Sequence, residues 1–169
     1  MGWIAKLFRA ASKEELNGLR LDHSSWNWAV GETKDLRRVL NSLHYIVGED
    51  AVIFLEGCNA KGEMKLFIDE VAIPEIEHIA RGTVWPKQNV IHLPATKKIV
   101  LRFSNLVDGV SPFNVATHFH VYENGEVVLE WHDAFTNCIF ISKNVSEEKV
   151  KCFSKALNVT YEIEGEPGH

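Results

Sequence analysis

The sequence predicts an α/β domain: a mixed sheet covered by about four helices, plus a short helix at the N-terminus. Three observations carry that expectation. Residues 26–30 read as a strand. Leu36, Val39, Leu40, Leu43, Ile46 and Val47 then recur at helical intervals behind Gly31 and Thr33, until Gly48 stops them. The short apolar run Ala51-Val-Ile-Phe-Leu55 follows, the mark of a strand buried on both faces. Strand, helix and buried strand in succession form an opening βαβ unit. Further along, Asn124-Gly125 joins residues 117–123 to residues 126–132 as a β-hairpin, because both residues tolerate the positive φ of a type I′ turn.

The other elements follow in order. Trp3, Ile4, Leu7, Phe8 and Ala11 lie on one helical face in the segment 1–18, and Ser12-Lys13-Glu14-Glu15 matches a capping box. Residues 3–11 suit either the chain's own core or contact with a membrane surface; packing on the core is the expected use of such a face. Met64, Phe67, Ile68 and Val71 repeat the helical interval before Pro74. Residues 76–84 read as a strand broken by Gly82, and residues 90–93 as a short strand. Ile99, Val100, Phe103, Leu106 and Val107 mark a helix closed by Gly109. Residues 138–141 form a strand. Ser146 caps a helix with Glu147 and Glu148 in its first turn and Val150, Phe153, Ala156 and Leu157 on its buried stripe. Residues 159–163 return as a strand, and the tail 164–169 is expected to fray.

No repeat or linker divides the 169 residues, so a single domain, 1–169, is expected. The net charge of −5 comes with no basic stripe, which argues against a nucleic-acid partner. Eight histidines outnumber that charge, so the sign of the surface charge reverses when they are protonated. Cys58, Cys138 and Cys152 are odd in number and unpatterned, reading as reduced core thiols of a cytoplasmic protein. No apolar run approaches the roughly 20 residues that span a bilayer.

The chemistry concentrates in the hairpin. His118 and His120 alternate on one strand and therefore share a face, a spacing that lets two ligands converge on zinc or iron. A two-residue turn with regular pairing sets His120 opposite Leu129 and His118 opposite Trp131. It sends Glu130 and His132 to the other face unless a bulge re-aims one strand. A third ligand is then expected from His92, His78 or His23. On the second face, Glu130 is suited to orient His132 as a general base.

Cys58 follows the buried strand in Glu56-Gly-Cys-Asn-Ala-Lys-Gly62, ahead of a helix. That place suits either an activated nucleophile or an inert loop thiol. The loop lacks the Lys-Ser/Thr of a phosphate-binding loop, since Glu63-Met64 stand there. Arg81 and Trp85, in Arg81-Gly-Thr-Val-Trp-Pro86, are composed like an interface anchor.

With its histidines split between two faces, the chain reads first as a non-catalytic module binding a protein or a small molecule. The alternative is a metal-assisted or acid–base enzyme of hydrolase type, using the hairpin histidines.

Overall fold

A computed structural model describes residues 18–82 and 88–165 of the chain. The expected N-terminal helix, the end of the tail and Trp85 lie outside the described residues. In chain order the elements are β1 (Asn27–Val30), α1 (Leu36–Ser42) with a 3-10 turn (Leu43–Tyr45), β2 (Val52–Glu56), α2 (Gly62–Val71), β3 (Val90–Pro94), α3 (Lys97–Leu106), α4 (Pro112–Val115), β4 (His118–Glu123), β5 (Glu126–Trp131), a second 3-10 turn (Asp133–Phe135), β6 (Ile139–Ile141), α5 (Glu147–Leu157) and β7 (Tyr161–Glu164).

The strands form one sheet in the order β3-β2-β4-β5-β6-β1-β7. Its ladders are antiparallel at every joint, where a mixed sheet was expected. The opening strand–helix–strand succession is present, and β1 and β2 run in the same direction. However, β4, β5 and β6 lie between them. Periodicity identifies a strand but not its neighbours, so the crossing could be read and its width could not.

Two differences are local. Residues 76–84, expected as a strand, contribute only the bridge of Ile79 to Leu19 within their described part. The four-residue α4 is too short for periodicity to reveal. Elsewhere the caps explain the boundaries. α1 begins at Asp35, whose side chain accepts the Arg38 N–H at 2.9 Å. Ser146 stands at the α5 N-cap without a side-chain bond, while Glu147 and Glu148 sit in the first turn as expected.

The sheet has two unlike faces. Trp28, Val30, Ile53, Leu55, Leu93, Phe119, Val121, Leu129, Trp131, Ile139 and Ile141 pack against the apolar stripes of the helices in one core. The other face carries Val52, Phe54, Tyr122 and Val127, covered by Leu21 and Ile79 from non-helical segments. β2 is buried along its whole length because it is flanked by β3 and β4 and covered on both faces, as its continuous apolar run predicted.

The hairpin turn has the expected backbone, with Asn124 at φ 53° and Gly125 at φ 77°. Its ladder does not run straight. Tyr122 pairs with Val127, but Val121 pairs with Leu129, so Val128 is an extra residue in β5. Beyond this bulge His120 faces Glu130 and Phe119 faces Trp131. The regular pairing of His120 with Leu129 and of His118 with Trp131 is corrected, and so is the division of faces built on it. Trp131 belongs to the helix side, whereas Glu130 shares a face with His118 and His120. Hydrophobic matching is the reason. A regular ladder would set Glu130 against buried Phe119, and the bulge sets Trp131 there instead.

Candidate functional site

The bulge gathers polar groups on the face without helices. Glu130 is 2% exposed and His120 is 3% exposed, both in the middle of the sheet. Glu130 uses both carboxylate oxygens. Oε1 accepts the Leu21 N–H at 2.7 Å. Oε2 lies 2.8 Å from His23 Nε2 and 3.2 Å from His132 Nε2. Burial pushes this carboxyl upward. Hydrogen bonds from His132, His23 and the Leu21 N–H, with the positive field of His120, outweigh it and hold the carboxyl down at about 2. A carboxylate only accepts hydrogen bonds, so His132 and His23 each present a protonated Nε2 to it.

His132 reaches the opposite way as well. Its Nδ1 lies 3.1 Å from Nδ1 of His118, and the two rings meet edge to face with centroids 5.1 Å apart. Glu130, His132 and His118 are therefore linked in series. The turn after β5 helps shape this end. Asp133 and Phe135 both adopt positive φ, 55° and 69°, and Asp133 points its N–H at His118 Nδ1 from 3.5 Å. Asp reaches this region readily, but a bulky residue such as Phe135 does so only where its surroundings hold it there.

The other nitrogen of His118, Nε2, faces Gly82. A Cβ built on that glycine would stand 2.6 Å from Nε2, so any larger residue there would push the imidazole aside. Glu56 secures the approach: its Oε2 accepts the Gly82 N–H at 2.8 Å. His118 itself is lowered from its ordinary value, first by burial and then by the charge of His132, against the pull of Glu56, Asp133 and Glu130.

His120 lies between these groups. Its ring is 5.0 Å from that of His132 and 5.3 Å from that of Phe54, and neither ring nitrogen has a hydrogen-bond partner among the described residues. Complete burial lowers it to about 3. His92 stands further along the same face, bonded through Nδ1 to the Tyr122 hydroxyl at 3.0 Å.

The two candidate metal ligands, His118 and His120, share a face as their spacing requires. Among the described residues, no three His, Cys, Asp or Glu side chains are arranged to hold a metal ion. His78, one expected third ligand, is paired instead with Glu75 at 2.8 Å.

The remaining candidates lie apart. Cys58 is buried in the helix-side core, and burial raises its thiol, the reverse of what activation as a nucleophile needs. The expectation of three core thiols is also corrected: all three cysteines are free, but only Cys58 is buried, and Cys152 is exposed. Arg81 turns inward, donating to the Gln88 carbonyl and lying 3.9 Å from Glu56.

His23 was anticipated only as a metal ligand, and Leu21, Glu56 and Gly82 were not anticipated at all. Their roles come from backbone N–H groups and a missing Cβ, which carry no sequence signature. The hairpin did carry one. Phe119 and Val121 alternate with histidines, Leu129 and Trp131 alternate with Glu130, and these apolar pairs align only with one residue looped out.

No protein-family model matches the chain, and neither curated proteins nor solved structures yield a match. The site's own chemistry has to carry the functional assignment. No helix among the described residues is long and apolar enough to cross a membrane.

Proposed function

We propose that the hairpin carries an acid–base site, and that the protein is an enzyme of hydrolase type whose general base is His118. The observation behind this reading is the series Glu130 Oε2–His132 Nε2 and His132 Nδ1–His118 Nδ1, at 3.2 and 3.1 Å. Glu130 fixes a proton on Nε2 of His132. Assigned to His118, the proton between the two Nδ1 atoms leaves a bare lone pair on His118 Nε2, and the Asp133 N–H, 3.5 Å from His118 Nδ1, is too distant to hold that nitrogen deprotonated at rest. When Nε2 takes a proton from a nucleophilic water or hydroxyl, the Nδ1 proton passes to His132. The imidazolium formed there is held by the Glu130 carboxylate, and the Asp133 N–H faces the vacated lone pair on His118. An orienting carboxylate behind an imidazole is the usual support for such a base.

The reading of the chain as a binding module drew on the separation of the histidines and on Arg81 and Trp85. The common face removes the first ground, and Arg81 is engaged within the fold.

The test is hydrolysis of a panel of activated carboxylate and phosphate esters by the wild type, His118→Asn, His132→Asn and Glu130→Gln. We expect a loss of at least about 100-fold for His118→Asn and His132→Asn, typical of removing a positioned acid–base group. Glu130→Gln is expected to lose less. Turnover that survives in His118→Asn, or no turnover of any ester by folded wild type, rejects the assignment.

A further inference from the structure

We infer that His23 is a positioning residue for the His132–His118 pair, and that residues 18–25 form a strap latched over the histidine face by Glu130. The inference rests on the acid–base reading above, but it has a readout of its own. The strap is seated at several points, and its far end is held by Lys143, whose Nζ donates to Ser25 Oγ at 2.8 Å and lies 4.0 Å from Asp22. The Leu19 N–H donates to the His78 carbonyl at 2.7 Å, and the Leu19 carbonyl accepts the Ala80 N–H at 2.9 Å. The Leu21 side chain, 3% exposed, fills an apolar socket of Val52, Phe54, Ile79, Tyr122 and Val127. The Leu21 N–H and His23 then take one oxygen each of the same carboxylate.

The consequence lies in how Oε2 is shared. Two imidazole N–H groups draw on one oxygen, and the strap's His23 is the closer, at 2.8 Å against 3.2 Å for His132. His23 is half exposed and the strap is not covalently closed over the site, so this partner can leave. Its departure gives Oε2 to His132 alone and removes a neighbouring cation when His23 is protonated. Both changes tighten the hold on the His132 Nε2 proton and strengthen the pair as a base. Glu130, His118 and His120 of the hairpin contact His132, Asp133 follows it in the chain, and His23 of the strap reaches it only through the shared Glu130 oxygen; of these, only His23 belongs to a separable segment. A ligand that lifts residues 18–25 would therefore expose the site and sharpen its chemistry in one step.

The experiment follows the ring N–H resonances of His132 in the full chain by proton–nitrogen correlation spectroscopy, together with exchange of the Leu21 amide. In His23→Ala the His132 Nε2 proton should move downfield. His23→Gln keeps an N–H donor toward Oε2 and should return the resonance toward its wild-type position. Leu21→Ala, which loosens the strap but keeps His23, should shift it as His23→Ala does. A His132 resonance unmoved in both alanine variants overturns the strap's role. Glu130→Gln separates the two ideas: if it disturbs the His132 resonance while the strap variants do not, the pair stands and only the strap proposal fails. If Glu130→Gln leaves the resonance unchanged, the pair itself is absent.

Discussion

His120 stands directly across the hairpin from Glu130, and Val128 is the residue that puts it there. With that residue looped out, three histidines and a carboxylate share one face of the sheet, while Phe119 and Trp131 share the other. The same bulge thus completes the helix-side core and assembles the polar site. Its consequences can be tested separately.

Deleting Val128 straightens β5 without changing which residues meet, since Val121 opposes Leu129 with or without the extra residue. The deletion should cost about 1–3 kcal/mol through lost packing of a nearly buried valine. It should leave Glu130 opposite His120 and the Leu21 amide protected from exchange. A variant that folds by circular dichroism yet loses that protection would show that the bulge does more than set the register.

Glu130→Ala removes the acceptor for the Leu21 N–H and for two imidazoles. Leaving buried donors unpaired costs roughly 1–3 kcal/mol each at most, and charged partners raise the toll. Only the Leu21 N–H is a fully buried donor, so we expect a urea midpoint shift equivalent to about 1–3 kcal/mol and Leu21 exchange at least about tenfold faster. Unchanged exchange at Leu21 would contradict the latch.

Stability should fall as the solution is acidified from about pH 6.5. Free histidine in the unfolded chain gains its proton below the ordinary value of 6.5, whereas buried His120 stays neutral down to about 3. The unfolded state therefore binds protons first, and stability declines across that window. His118 and His92, both lowered chiefly by burial, act in the same direction. Glu130 adds a lower window: its contribution is full above 4.5 and is lost as pH falls toward about 2. Urea unfolding between pH 7.5 and 5 should show the decline, and His120→Phe should flatten it. A wild-type midpoint constant over that range would refute the neutral, buried state of His120.

Thiol chemistry should rank the cysteines by burial. Exposed Cys152 should react first with a disulfide reagent at pH 8, and Cys58 should react only as fast as the fold opens, because burial raises its thiol. Cys58→Ala should leave ester turnover unchanged. Rapid modification of Cys58 in the folded protein would return it to the list of nucleophiles.

The sequence by itself determined the α/β class, the main helices from their three-and-four spacing, the doubly buried β2 and the Asn124-Gly125 reversal. Each is a local consequence of side-chain period or of backbone freedom at one or two residues, legible without knowing what lies nearby. The chemically rich residues were legible as types too: His118, His120, Glu130 and His132 stand out from any reading of the hairpin. Only the tertiary structure decided which of them meet. The antiparallel strand order, the extra residue in β5 and the strap holding Leu21 and His23 against Glu130 depend on which apolar surfaces find each other across the sheet. Burying Trp131 and Leu129 against the helices outweighs a regular ladder, and one residue's slip carries Glu130 and His132 to the face where His118 and His120 stand.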